Sequence, residues 1–98
     1  RDAYAIRPTA QFLGSEVRPT TPVYLSFDAD AFAMLYYGPE ARYILWHTPE
    51  RTLRPGTLLV LAADEAERAL PELTARFGLR TAPEPVWANE FHRIYRVR

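Results

Sequence analysis

Thr57-Leu58-Leu59-Val60-Leu61-Ala62-Ala63 (TLLVLAA, residues 57–63) is apolar at every position but the first, and lies between Pro55-Gly56 and Asp64. Side chains alternate faces along a strand, so a segment apolar on both faces needs cover on both. The stretch therefore reads as the central strand of a sheet with helices above and below it. Leu59 and Leu61 are expected to meet one helical layer, and Leu58 and Val60 the other. Asp64 reads as the cap of a helix running to about Phe77, with Ala66, Leu70, Leu73 and Phe77 on its inner side. Pro71 should kink or split that helix near Leu70, and Gly78 should end it.

Working outward, Val23-Tyr24-Leu25-Ser26-Phe27 alternates as a strand with Val23, Leu25 and Phe27 on one face. Before it, a helix is expected to begin with Pro8 in its first turn and to run to about Glu16, with Pro19 and Pro22 bracketing the turn that follows. After it, Ala29 to Tyr37 has helical propensity and is stopped by Gly38-Pro39. Arg42 to Trp46 reads as a second strand and Leu53 to Gly56 as a loop. Leu79 to Val86 and Phe91 to Val97 read as two strands joined at Ala88-Asn89-Glu90, with Phe91, Arg93, Tyr95 and Val97 sharing a face. Strands alternating with helices predict one α/β domain over 1–98: a small layered sheet, parallel in the centre, with an antiparallel C-terminal hairpin and helices packed on its faces.

Ninety-eight residues support a single thin core. Twelve basic and twelve acidic residues cancel, which argues against a nucleic-acid partner or an anionic-membrane footprint. All the basic residues are Arg, scattered along the chain in a manner that suggests codon bias rather than recognition. The absence of Cys excludes a disulfide framework, a thiolate zinc site and a cysteine nucleophile. Four Gly, no HExxH and no phosphate loop exclude the common nucleotide and zinc-protease signatures, and no cofactor is implied. The chain opens on Arg1 and its one Met is Met34, which reads as a piece of a longer protein.

Open parallel sheets bind ligands beyond the C-terminal ends of their strands. That edge is expected to carry Asp28 and Asp30 after the first strand, His47 after the second and Asp64 after the third. These residues form a candidate ligand-binding edge, and Asp28-Ala29-Asp30 has the D-x-D form that holds a metal in many sugar-nucleotide transferases. The competing reading is that the acids cap helices by accepting first-turn amide hydrogens, which suits Asp28 or Asp30 for the second helix and Asp64 for the third. On that reading no metal is bound, and replacing whichever of Asp28 and Asp30 caps the helix would cost about 1 kcal/mol. His47 reads as a loop-entry residue and His92 as solvent-facing. Among the aromatics, Tyr37 and Trp46 are candidates for stacking on a sugar ring, against the alternative that they pack in the core with Tyr36, Tyr43 and Trp87. The second helix is apolar nearly all round, so it is expected to be buried or to be covered by something outside this chain.

The succession of blocks resembles a known family. A helix ending Phe12-Leu13 leads through a Pro-rich turn into PVYLSF (22–27), then LYYGPEARYILW (35–46), RPGTLLVLA (54–62), LTARFGLR (73–80) and FHRIYRVR (91–98). This is similar to the soluble C-terminal domain that follows the membrane-spanning part of bacterial glycosyltransferases of the protein mannosyltransferase and lipid A aminoarabinose transferase type. The resemblance implies a non-catalytic domain of an integral membrane enzyme, lying on the extracytoplasmic face of the bacterial cell membrane. Its partners would be the membrane-spanning part of the same polypeptide, a polyprenyl-phosphate sugar donor, and a glycan, lipid or protein acceptor. The catalytic acid of such enzymes lies in the membrane part, so this chain alone is expected to be inactive, and Asp28-Ala29-Asp30 would not be the active site. An independent ligand-binding or regulatory domain, or a partner-interaction scaffold, is the alternative.

Overall fold

The computed structural model describes residues 3–80 and 84–98. The elements run α1 (Ala3–Glu16), β1 (Pro22–Leu25), a 3-10 turn (Phe27–Ala29), α2 (Ala31–Tyr37), β2 (Arg42–Leu45), β3 (Leu58–Ala62), α3 (Ala66–Phe77), β4 (Trp87–Ala88) and β5 (His92–Arg96). The fold is α/β, with one five-stranded sheet in the order β2-β1-β3-β5-β4. β1 pairs in parallel with both β2 and β3, while β5 is antiparallel to β3 and to β4.

β3 is the spine. All five of its residues are buried. Leu58 and Val60 pack with Ile6, Leu13, Val23, Leu25, Met34 and Ile94 beneath α1 and α2. Leu59 and Leu61 pack on the opposite face with Tyr24, Ile44, Ala66, Leu73 and Phe77 beneath α3. The strand's alternation thus divides one apolar segment between two half-cores, as its sequence predicts.

Several elements differ from their sequence reading. α1 starts at Ala3, so Pro8 lies inside the helix and not in its first turn. Pro8 faces outward, where the loss of one amide donor and the bend it imposes leave the inner stripe of Ile6, Thr9 and Leu13 undisturbed. α3 starts at Ala66, after Glu65, so Asp64 belongs to the preceding turn and does not cap it. Pro71 is accommodated within one helix, which is not split at Leu70. The fourth strand is confined to Trp87–Ala88, and part of the expected Leu79–Val86 strand, residues 81–83, lies outside the described residues. Leu53, read as a loop residue, is buried against the α3 half-core, because the loop must cross the sheet end to reach β3.

Gly38 ends α2 for a steric reason. A Cβ there would lie 2.5 Å from the Met34 carbonyl oxygen and 2.6 Å from the Tyr43 hydroxyl. That hydroxyl donates to the Pro39 carbonyl at 2.5 Å, which ties the exit of α2 to β2.

Truncating Leu59 or Val60 to Ala is expected to cost about 2–4 kcal/mol, from lost burial and the cavity left behind. Leu53→Ala should approach the lower end of that range, and equilibrium urea unfolding of the three variants measures the ranking. Alkaline unfolding offers a second check. Burial pushes the phenols of Tyr43 and Tyr24 above their ordinary pKa of 10.0, the Arg76 guanidinium offsetting part of the shift at Tyr24. A raised folded-state pKa means that the folded protein holds these protons more tightly than the unfolded chain. The stabilisation is complete below about pH 10 and is lost as pH climbs through the folded-state values. Unfolding free energy should therefore fall above about pH 10, and Tyr43→Phe should reduce the fall.

Candidate functional site

The parallel strands β1, β2 and β3 all end on one edge of the sheet, where the sequence predicts ligand-facing residues. Asp28 stands exposed in the 3-10 turn after β1, His47 stands exposed in the turn after β2, and Asp64 stands exposed in the turn before α3. Among the described residues, no group of three or more His, Asp or Glu side chains is arranged to hold a metal ion. The four predicted residues therefore do not converge.

Asp30 also follows β1 at this edge, but its carboxylate is turned inward. It occupies the residue before α2 in a left-handed conformation (φ 58°), which Asp tolerates better than most residues, but its carboxylate makes no capping bond. Asp28 makes none to the 3-10 turn either, whose leading residue is Ser26. One or other of the two was read as the cap of the second helix. The Asp30 Oδ2 instead lies 3.0 Å from Nε2 of His92, and Nδ1 of His92 lies 2.6 Å from the Thr9 hydroxyl.

His92 was expected to face solvent. It is wholly buried, as is Thr9. The reason is the place of β5: it sits inside the sheet between β3 and β4, and the face that carries His92 and Ile94 lies beneath α1. The signal was present in the alternation, since His92 and Ile94 are two residues apart and must share a face. Thr9 falls on the inner stripe of α1 with Ile6 and Leu13, so its hydroxyl too must find a partner within the protein.

Asp30, His92 and Thr9 have the residue types of an acid–base–nucleophile chain. With the Asp30 carboxylate accepting the Nε2 proton, Nδ1 accepts from the Thr9 hydroxyl. Such a chain needs a nucleophile that a substrate can reach. Thr9 has no exposed surface, so the chain serves to join α1, the start of α2 and β5.

The remaining edge carries aromatic rings and a cavity. Trp46 meets Phe27 at 4.9 Å, Phe32 at 5.7 Å and His47 at 4.8 Å between ring centroids, each edge-to-face. Behind Trp46, between the ends of β1 and β2 and the side of α3, lies a cavity of about 260 Å³ that Ser26, Arg68, Glu72 and Arg76 also line. Tyr37, the second predicted stacking residue, borders a separate groove of about 410 Å³ between α1 and the end of α2. Sequence reasoning missed the α3 contribution, because Arg68, Glu72 and Arg76 resemble any solvated helix face until α3 is laid beside β1.

Asp30→Ala should leave the buried His92 ring without its carboxylate and cost about 1–3 kcal/mol, the range for orphaning a buried polar group. Asp28→Ala, at an exposed side chain, should stay within about 0.5 kcal/mol of the parent. Thermal unfolding of the two variants measures the difference. No protein-family model, curated protein or solved structure was found to match this chain.

Proposed function

We propose that this chain is a non-catalytic α/β domain of a bacterial membrane glycosyltransferase that draws on lipid-linked sugar donors, seated on the extracytoplasmic side against the membrane-spanning part of its own polypeptide. The succession of sequence blocks supports the enzyme class. One structural observation supports the seating. Phe32, Leu35 and Tyr36 recur at the i, i+3, i+4 spacing on the outer face of α2, and they are 66%, 42% and 80% exposed. With exposed Phe27 and Tyr37 beside them they make a contiguous apolar surface on the order of 500 Å², counting about 200 Å² for a fully exposed large ring.

A patch of this size is at the upper end of what a free domain displays, and patches of that kind mark contact surfaces. No Asp, Glu, Lys, Arg or His stands between Ala31 and Pro39, so the surface suits an apolar neighbour. Burial of the helix within its own domain was the leading expectation for these residues. Only Ala31 and Met34 meet it fully, and the alternative expectation, cover from outside the chain, fits the rest. Among the described residues, no helix is long and apolar enough to cross a membrane.

The coding sequence ahead of residue 1 should contain repeated apolar segments of about 20 residues. In the full-length enzyme, Phe32→Ser with Tyr36→Ser should lower transfer from a polyprenyl-phosphate sugar, while leaving the stability of this chain alone within about 0.5 kcal/mol per site. Undiminished transfer by that double variant, or transfer catalysed by this chain alone, would overturn the reading.

A further inference from the structure

The cavity behind Trp46 sits at a distinctive place in the sheet. β1 lies between β2 and β3, so the chain leaves β1 toward one side through α2 and later returns to the other side through β3. α2 belongs to one face and α3 to the opposite face. Between the C-terminal ends of such strands the chain opens a crevice, and ligands of open α/β sheets bind there. The cavity lies beside that point, walled by the ends of β1 and β2 and by α3, and its volume of about 260 Å³, slightly below the range of about 300–1,000 Å³ for drug-sized ligand sites, suits a ligand of one ring.

The charges in its wall decide which ring. Arg68 is matched by carboxylates: its Nε donates to Glu65 at 2.9 Å, and its terminal nitrogens donate to Glu65 and, at 3.2 Å and 3.3 Å, to both oxygens of Glu72. Arg76 donates to the Trp46 and Thr48 carbonyl oxygens at 2.7 Å and 2.9 Å and lies over the Phe77 ring at 4.5 Å. Glu65, just outside the lining, and Glu72 within it take up the charge of Arg68, so Arg76 is the one guanidinium of the wall without a carboxylate bonded to it among the described residues. A phosphate entering the site would also meet Glu72. What remains is an alternation of donors and acceptors: spare Arg76 N–H groups, the carboxylate of Glu72, and the Ser26 hydroxyl, which has no hydrogen-bond partner among the described residues. Trp46, with Tyr24, Ala69 and Leu73, supplies the apolar part of the wall.

Planar side chains with paired donors or acceptors, beside an aromatic ring, match vicinal hydroxyls on a ring whose faces carry C–H groups. We infer that this crevice binds a neutral monosaccharide unit, its ring against Trp46 and its hydroxyls toward Ser26, Glu72 and Arg76. The site differs from the expected edge of Asp28, Asp30, His47 and Asp64, none of which lines it, and includes Trp46, one of the two expected stacking residues. It does not depend on what covers α2. A chain that docks through α2 and binds no sugar would refute this inference alone.

The chain has two tryptophans, so two indole N–H signals report on it in a proton–nitrogen NMR spectrum. Methyl α-mannopyranoside, methyl β-glucopyranoside and methyl β-arabinopyranoside are titrated separately, each to about 100 mM, with inorganic phosphate as the charged control. The expected result is a saturable shift of the Trp46 signal by at least one sugar, with the signal of Trp87, which stacks on Phe12 elsewhere, unmoved. Glu72→Gln and Ser26→Ala should each weaken that binding at least threefold, with backbone spectra otherwise superimposable on the parent. The inference fails if no sugar moves Trp46, if both tryptophans move together without saturation, if phosphate alone saturates the site, or if both variants bind as the parent does.

Discussion

Burial of β3 on both faces is the constraint from which the rest of the molecule follows. A strand of five apolar residues in a chain of this size needs cover above and below, and the chain has only three helices among its described residues with which to provide it. α1 and α2 take one face and α3 the other. Each layer is therefore thin, and each depends on β3 for its inner wall. The parallel pairing with β1 and the antiparallel pairing with β5 engage β3 along both edges, so the sheet itself supplies hydrogen-bond partners to a strand covered on both faces.

The layer beneath α1 also contains a long-range polar connection within the core. Thr9 and His92 are 83 residues apart in sequence and Asp30 lies between them. Burying an imidazole and a hydroxyl is costly unless each is paired, and these two pair with each other and with a carboxylate. The consequence is positional. The three groups tie α1, the entry to α2 and β5 to one another. That connection sits directly behind the edge on which Trp46 and its neighbours are displayed.

At that edge the protein displays large apolar side chains that its own core does not use. Apolar rings that would strengthen the core if turned inward are held outward along α2, because Ala31 and Met34 already fill the space between α2 and the sheet. Seven residues of helix offer two buried positions and leave the larger side chains outside. On the other side of Trp46, α3 turns a polar, charged flank toward the strand ends. An apolar surface and a polar crevice thus meet at a single indole, and the two are suited to different neighbours.

Much of this was written in local sequence. The segment 57–63 determined a doubly covered central strand, alternation divided its side chains between two layers, and Gly38-Pro39 and Gly78 ended α2 and α3, because these features depend only on neighbours a few residues away. The α/β order and the antiparallel C-terminal strands followed from the same local periods. What local sequence could not determine was where each face would lie once the strands were ordered. His92 looked solvent-facing until β5 was placed inside the sheet beneath α1. Asp30 looked like a cap until a histidine 62 residues away came within 3.0 Å. Leu53 looked like a loop residue until its loop crossed the α3 half-core. The crevice at Trp46 has walls from β1, β2 and α3, and no single stretch of sequence contains it. Burial and partnership are properties of distant segments brought together, and only the tertiary structure supplies them.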